Sequence, residues 1–242
     1  MNLSDQDLFI KYTDNTNGKL ILSNYLKNEL GKYNFTSLLD VGAGEGEFAV
    51  CLSSVFQSVV AIEPNLEFAQ KIKGKNVKNL TVVEDTIQNY AADSRFDVIL
   101  LSYFLDLFQE QDIEMIMRKI AGLRSTKGMI LGISYLPGCD WDNYAHRVIR
   151  DLNTGRKGGI DRIFAKLEKL NYYCSIKGII DTEIYGTTLS DLYYNLSFFF
   201  KRNLKGYYSN KEKYMELLEK YSRKNAAGYS INVKEVVYEI GL

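Results

Sequence analysis

The sequence predicts a doubly wound α/β fold carrying a helical cap, and three observations support that prediction. Short apolar strands alternate with amphipathic helices from residue 36 to 135, the pattern of a parallel sheet wrapped by helices. A glycine-rich turn falls between the first strand and the first helix of that stretch, where open α/β sheets hold their ligands. After Pro137 the rhythm changes to helices bracketed by two late strands, and that is more chain than two closing strands need. At 242 residues the expected organisation is one domain. Residues 1–35 form an N-terminal helical flap, 36–135 the ligand-binding core, and 136–242 a substrate cap with the closing strands.

Each element has its own signal. Leu38 to Val41 is the first strand, and the helix after it buries Phe48, Cys51, Leu52 and Val55 at i, i+3, i+4 and i+7. Val59 to Ile62 is the second strand and ends at Glu63. Leu80 to Val83, Phe96 to Leu101 and Met129 to Ser134 are the third, fourth and fifth. Ile113, Ile116, Met117, Ile120 and Leu123 define the helix before the fifth, closed by a turn at Lys127-Gly128. Beyond Pro137, helices over 141–152 and 161–170 take Asp140 and Asp161 as N-caps. Tyr173 to Ile184 and Val233 to Ile240 read as strands. Between them lie helices over 191–202 and 210–224, the second opened by a Ser209/Glu212 capping box.

Composition narrows the function. Lys+Arg and Asp+Glu are 30 each, whereas a protein that neutralises nucleic-acid phosphates carries a basic excess. Cys51, Cys139 and Cys174 are far apart and odd in number, against both a disulfide framework and a zinc site. No His/Cys/carboxylate cluster has metal-ligand spacing, so no metal is expected. The opening residues lack a basic region followed by an apolar run, and no apolar stretch reaches membrane-spanning length. The expectation is a soluble cytoplasmic protein with no membrane partner, and the sequence points to no particular oligomeric state.

The most specific feature is Leu39-Asp40-Val41-Gly42-Ala43-Gly44-Glu45-Gly46. Glycines let the backbone turn tightly and approach a ligand with no Cβ in the way. A dinucleotide fingerprint needs G-x-G-x-x-G, but residue 47 is glutamate and the glycines follow G-x-G-x-G; no phosphate-binding lysine follows either. Glu63 ends the second strand, where a carboxylate can accept hydrogen bonds from both hydroxyls of a ribose. Asp85 follows the third strand, placed for an adenine amino group with Thr86 in support, and Ser102-Tyr103 follow the fourth. Each alone reads as a solvated loop or a helix cap; four in order at successive strand ends do not.

On these residues the sequence resembles the class I S-adenosylmethionine-dependent methyltransferase family, well over residues 36–135 and loosely elsewhere. The resemblance implies a Rossmann-like seven-stranded sheet with an antiparallel last strand, and S-adenosylmethionine as methyl donor. Carried over, Asp40, Gly42, Ala43, Gly44 and Gly46 line the methionine end. Glu63 holds the ribose, Asp85 and Thr86 the adenine, and Ser102 and Tyr103 border the transfer site. The layout is most similar to histamine N-methyltransferase and related small-amine enzymes, through Ile62-Glu63-Pro64 and the segment Gly138 to Trp141. Asn17 and Tyr103 stand where that enzyme uses a carboxylate and a glutamine, so the resemblance stops short of histamine itself.

The implied donor is already activated, so the main task is aligning a nucleophile opposite the sulfur. An amine that arrives neutral needs no strong base, whereas a hydroxyl usually does. Tyr103 and His146 are the side chains offered for acid–base work, His146 reading equally as a surface residue. Tyr103, Tyr135, Trp141 and Tyr144 are the candidate acceptor contacts, since aromatic faces attract cations; core packing is the competing account. Phe198-Phe199-Phe200 reads as core or a partner surface, and Phe9 and Tyr12 as part of the flap. The expected reaction is methyl transfer to a small molecule, with nitrogen slightly favoured over oxygen. Two alternatives remain: an RNA methyltransferase, disfavoured by Leu101-Ser102-Tyr103-Phe104 in place of Asn/Asp-Pro-Pro-Tyr, and a non-catalytic S-adenosylmethionine-binding sensor.

Overall fold

The computed structural model describes residues 4–91, 94–154 and 159–241. Parallel pairing joins β1 (Ser37–Val41), β2 (Ser58–Ile62), β3 (Leu80–Val83), β4 (Phe96–Ser102) and β5 (Arg124–Tyr135). The late strands β6 (Tyr173–Gly186) and β8 (Gly228–Gly241) complete the order β3-β2-β1-β4-β5-β8-β6, and the C-terminal strand is antiparallel. A short strand, β7 (Arg223–Asn225), absent from the sequence expectation, pairs antiparallel with β8.

Two compact units divide the chain. The first contains residues 1–19, 135–157 and 180–235, the second 20–134, 158–179 and 236–242. In the second, the central strands are buried on both faces, and Leu38, Leu39 and Val98 to Leu101 are wholly inaccessible, as expected for parallel strands covered by helices. Around them are α2 (Gly18–Leu30), α3 (Glu47–Leu52), α4 (Leu66–Gly74), α5 (Glu110–Leu123) and α7 (Ile160–Lys169).

The first unit is built on aromatic packing. Its helices are α1 (Asp5–Thr13), α6 (Asp140–Asp151), α8 (Leu189–Asn195), α9 (Leu204–Ser209) and α10 (Lys211–Tyr221). Tyr12, Trp141, Tyr144, Tyr193, Phe200, Tyr207 and Tyr214 share one buried cluster. Tyr207 stacks on Tyr193 and on Phe200, each with centroids 4.4 Å apart, the offset geometry that ring quadrupoles favour. The phenylalanine triplet therefore belongs to a core.

Several local expectations fail for identifiable reasons. The helix after β1 stops at Leu52 and buries Phe48, Ala49 and Leu52, while Cys51 and Val55 are only half-buried. Ser53 and Ser54 donate back to the carbonyls of Val50 and Cys51 at 2.7 and 2.9 Å, competing with helix continuation. No turn closes α5, because Arg124 leads straight into β5 and Lys127-Gly128 lies within the strand. A Cβ at Gly128 would sit 2.8 Å from the Phe96 carbonyl oxygen, so glycine permits the close strand approach beside the register shift at Phe96/Val98.

The late helices also begin differently. Cys139 and Gly159 are the N-caps of α6 and α7, which puts Asp140 and Asp161 in their first turns, where the helix dipole still favours them. Asn210 rather than Ser209 caps α10, with no side-chain bond, while true capping boxes form at Ser4/Asp7 and Thr188/Asp191. The expected 191–202 helix is α8 followed by a 3-10 stretch, Leu196–Asn203. Asn203 accepts from the Gly206 N–H and starts α9 afresh.

Candidate cofactor site

Strand register brings the sequence-assigned residues together. Val41 pairs with Ile62 and Ile62 with Val83, so β1, β2 and β3 end abreast. Asp40, between Ala61 and Leu100, is wholly inaccessible. The turn beyond Val41 is anchored to β2: the N–H groups of Gly42 and Ala43 donate to the Ile62 carbonyl at 2.9 and 3.0 Å.

Gly42, Gly44 and Gly46 have φ of 71°, 58° and 78°, left-handed values that glycine adopts without steric cost. Their surroundings differ. A Cβ at Gly42 would meet Phe104 Cδ2 at 2.7 Å, and one at Gly46 would meet Ile72 Cγ1 at 2.7 Å; at Gly44 it would meet nothing within 4 Å. The outer glycines are thus packed, and the middle one fronts a space that a ligand can fill. Lys71 and Lys75 steady the turn from α4, bonding the Glu45 carboxylate at 2.7 Å and its carbonyl at 2.6 Å.

Glu63 is 6% exposed and braces the same turn. Its Oε2 accepts from the Gly44 N–H and its Oε1 from the Asn65 N–H, both at 2.8 Å. Burial raises the pKa of its carboxyl above the usual range, against the opposing pull of those two N–H groups. Asp85 accepts on Oδ1 from the Thr86 N–H at 2.7 Å and from Asn89 Nδ2 at 2.9 Å, and these bonds hold its pKa low. Both contacts fall on one oxygen.

Ser102 ends β4 in register with Ile133. Tyr103 has φ of 52° and donates its N–H to the Ile133 carbonyl at 2.9 Å. A non-glycine residue in that region stores strain of a kind that gathers at functional turns. Ile72, Asn65 and Asn89 complete the site, although sequence reading gave none of them a role in it. Only Asn65 offered a signal, as an Asn cap after the acidic strand end.

The remaining candidates belong to the first unit. Tyr135 is half-buried and its hydroxyl lies 3.0 Å from that of Tyr12. Trp141 is 6% exposed, with its ring 4.3 Å from that of Phe199. Tyr144 is wholly inaccessible and its hydroxyl is bonded to that of Tyr207 at 3.0 Å, which makes it a core residue. His146 lies on the exposed side of α6. Among the described residues, no group of three or more His, Cys, Asp or Glu could hold a metal ion, and no helix is long and apolar enough to cross a membrane.

The donor chemistry of the second-unit site fits S-adenosylmethionine: an open glycine cradle, buried Asp40, and acceptors at successive strand ends for an ammonium, ribose hydroxyls and an adenine amino group. Residues 38–128 match the family described as methyltransferase domain. No curated protein matches the chain by sequence. Among solved structures, the YcgJ protein of Bacillus subtilis superposes with a TM-score of 0.60 at 17% identity, covering 90% of this chain and 98% of that one. A SAM-dependent methyltransferase of Leishmania major gives 0.52 at 10% identity, over 67% and 65%. The N-methyltransferase NodS of Bradyrhizobium japonicum, solved with S-adenosyl-L-homocysteine, gives 0.52 at 10% identity, over 90% and 84%. At these identities the likeness is one of fold. The stretch that matches a methyltransferase domain, residues 38–128, contains the glycine cradle, Glu63 and Asp85.

Proposed function

We propose that the protein methylates a small-molecule acceptor, an amine nitrogen being favoured over a hydroxyl oxygen, as in the small-amine methyltransferases, and that it works in the cytoplasm. The observation that carries the cofactor half of this reading is the open Gly44 cradle beside carboxylates at the ends of β1, β2 and β3. In it, Asp40 and the Gly42–Gly46 turn hold the methionine end, Glu63 the ribose, and Asp85 with Thr86 the adenine. Ser102 and Tyr103 border the transfer point. Bound there, S-adenosylmethionine supplies a methyl group on a positively charged sulfur.

The chain's own residues then have to place a nucleophile and exclude water. Equal numbers of acidic and basic residues, and Leu101-Ser102-Tyr103-Phe104 after β4, support a small acceptor over RNA. His146 on the exposed side of α6 supports an acceptor that needs no imidazole base. Acceptor recognition is assigned to residues of the first unit, with Tyr135 and Trp141 as its aromatic contacts. Incubation with methyl-labelled cofactor and separate pools of small amines, small alcohols and RNA tests the reading. Label in the amine pool is expected; label confined to RNA, or turnover with none, overturns it.

A further inference from the structure

A trough of about 630 Å³ lies on the first unit, and every residue lining it belongs to that unit. Its floor is the outer face of β6 and β8. Strand alternation sets that face: Ile180, Thr182 and Ile184 are buried while Asp181 and Glu183 are accessible; Ile231, Val233 and Glu235 are buried while Asn232 and Lys234 are accessible. The volume suits a small metabolite.

Charge is sorted across this floor. Two of the three lining carboxylates, Asp181 and Glu183, stand on β6 and the third, Asp140, opens α6 beside Arg223, whereas the cations, Lys234 and Arg223, stand on β8 and β7, with neighbouring strands about 4.8 Å apart. The β6 carboxylates are oriented, each through one oxygen: Asp181 Oδ1 accepts from Asn232 Nδ2 at 2.9 Å, and Glu183 Oε1 from Ser230 Oγ at 3.2 Å. An ionised carboxylate retains further acceptor sites. Arg223 meets Asp140 only at 3.6 Å, and a guanidinium with five N–H donors keeps most of its capacity.

We infer that this trough binds a zwitterionic small molecule, its ammonium on Asp181 and Glu183 and its carboxylate on Lys234 and Arg223. A simple amine would meet Lys234 and Arg223 as like charges, and a simple carboxylate would meet Asp181 and Glu183 in the same way. Only a ligand bearing both charges satisfies both sides. The inference does not depend on the methyl-transfer reading, because it concerns binding without cofactor.

Calorimetry on the full chain, with and without S-adenosylhomocysteine, tests it. The probes are β-alanine, γ-aminobutyrate and ε-aminocaproate, which differ in charge separation, with n-butylamine and butyrate as single-charge controls. One zwitterion is expected to bind about tenfold tighter than either control. Lys234→Met, and Asp181→Asn with Glu183→Gln, should each weaken it about tenfold, while Lys234→Arg retains binding and the melting temperature of each variant holds. Failure of all three zwitterions to bind, equal binding of n-butylamine, or affinity that survives Lys234→Met overturns the inference.

Discussion

Replacing Gly46 by alanine separates two costs that the glycine turn combines. Gly44 and Gly46 both adopt left-handed backbone, at φ of 58° and 78°, so alanine at either incurs about 1–2 kcal/mol of steric strain. A loss of unfolded-state entropy offsets about 0.4–1 kcal/mol of that. At Gly44 nothing lies within 4 Å of the added carbon, so the net destabilisation should be about 0–1.6 kcal/mol. At Gly46 the carbon would lie 2.7 Å from Ile72 Cγ1 and 3.0 Å from Cγ2. Ile72 is 1% exposed and has nowhere to retreat, which adds about 1–3 kcal/mol of overpacking.

Urea unfolding followed by far-ultraviolet circular dichroism measures both variants, and a double-mutant cycle with Ile72→Ala isolates the clash. Ile72→Ala alone costs about 2–5 kcal/mol. Combined with Gly46→Ala it should cost about 1–3 kcal/mol less than the sum, because the atoms in conflict are gone. Cofactor binding should show the opposite preference. Gly44→Ala fills the ligand's space and should lose about tenfold or more in S-adenosylhomocysteine affinity while remaining folded. Equal destabilisation at Gly44 and Gly46, or a strictly additive cycle, would refute the division into a packed glycine and an open one.

Four further outcomes follow from the structure. Tyr103→Gly should be about 1 kcal/mol more stable than Tyr103→Ala by thermal or urea unfolding, since both lose the ring and only alanine keeps the left-handed strain; equal stabilities would contradict the φ of 52°. Glu63→Gln should destabilise by about 1–3 kcal/mol, because either amide orientation turns an NH₂ toward the Gly44 or the Asn65 N–H. Glu63 has a raised pKa, and under the proposed ribose contact the hydroxyls would favour its charged form, so cofactor binding should release protons and weaken as pH falls through that pKa; calorimetry in buffers of different ionisation heat showing proton uptake would count against this. At the opposite ends of the strands, Asp97 accepts from Thr36, Ser37 and Ser125; burial would raise its pKa, but these bonds outweigh it and hold the pKa low. That stability is present above the unfolded carboxylate pKa and lost as pH falls through the folded one, so Asp97→Ala should cost about 2 kcal/mol at neutral pH and less in acid.

The second unit was legible because its signals are periodic or spaced. Apolar runs of strand length, separated by amphipathic helices, located five strands, the first four with ends correct to one residue and β5 starting five residues too late. The glycine spacing located the turn. What sequence could not carry was contact information. Ile72 and Phe104 touch Gly46 and Gly42 across long stretches of chain, and no local pattern encodes that. The same gap explains Tyr144. An aromatic residue just past a strand end looks alike whether it lines a pocket or fills a core, and the cluster around Tyr207 became visible only once the first unit's helices were placed. Cap assignments failed on a finer scale, because an acidic residue is favourable both at an N-cap and one position later.

Glu63 shows why the cofactor half of such a protein is easier to read than the acceptor half. The carboxylate does two things at once: it fixes the Gly44 amide, and so the turn, and it leaves acceptor capacity on both oxygens for hydroxyl donors. Bracing that precedes the ligand lowers the ordering cost of binding, and it requires an acidic residue at the end of β2 opposite a glycine at the end of β1. That requirement constrains residue type at defined positions, so it survives in a single sequence as spacing. Acceptor recognition by side chains on helices constrains shape instead, and many residue types can supply the same shape. A sequence therefore records the donor's site as a pattern and the acceptor's only as composition, here an abundance of aromatic residues, most of which the fold then uses to build the first unit's core.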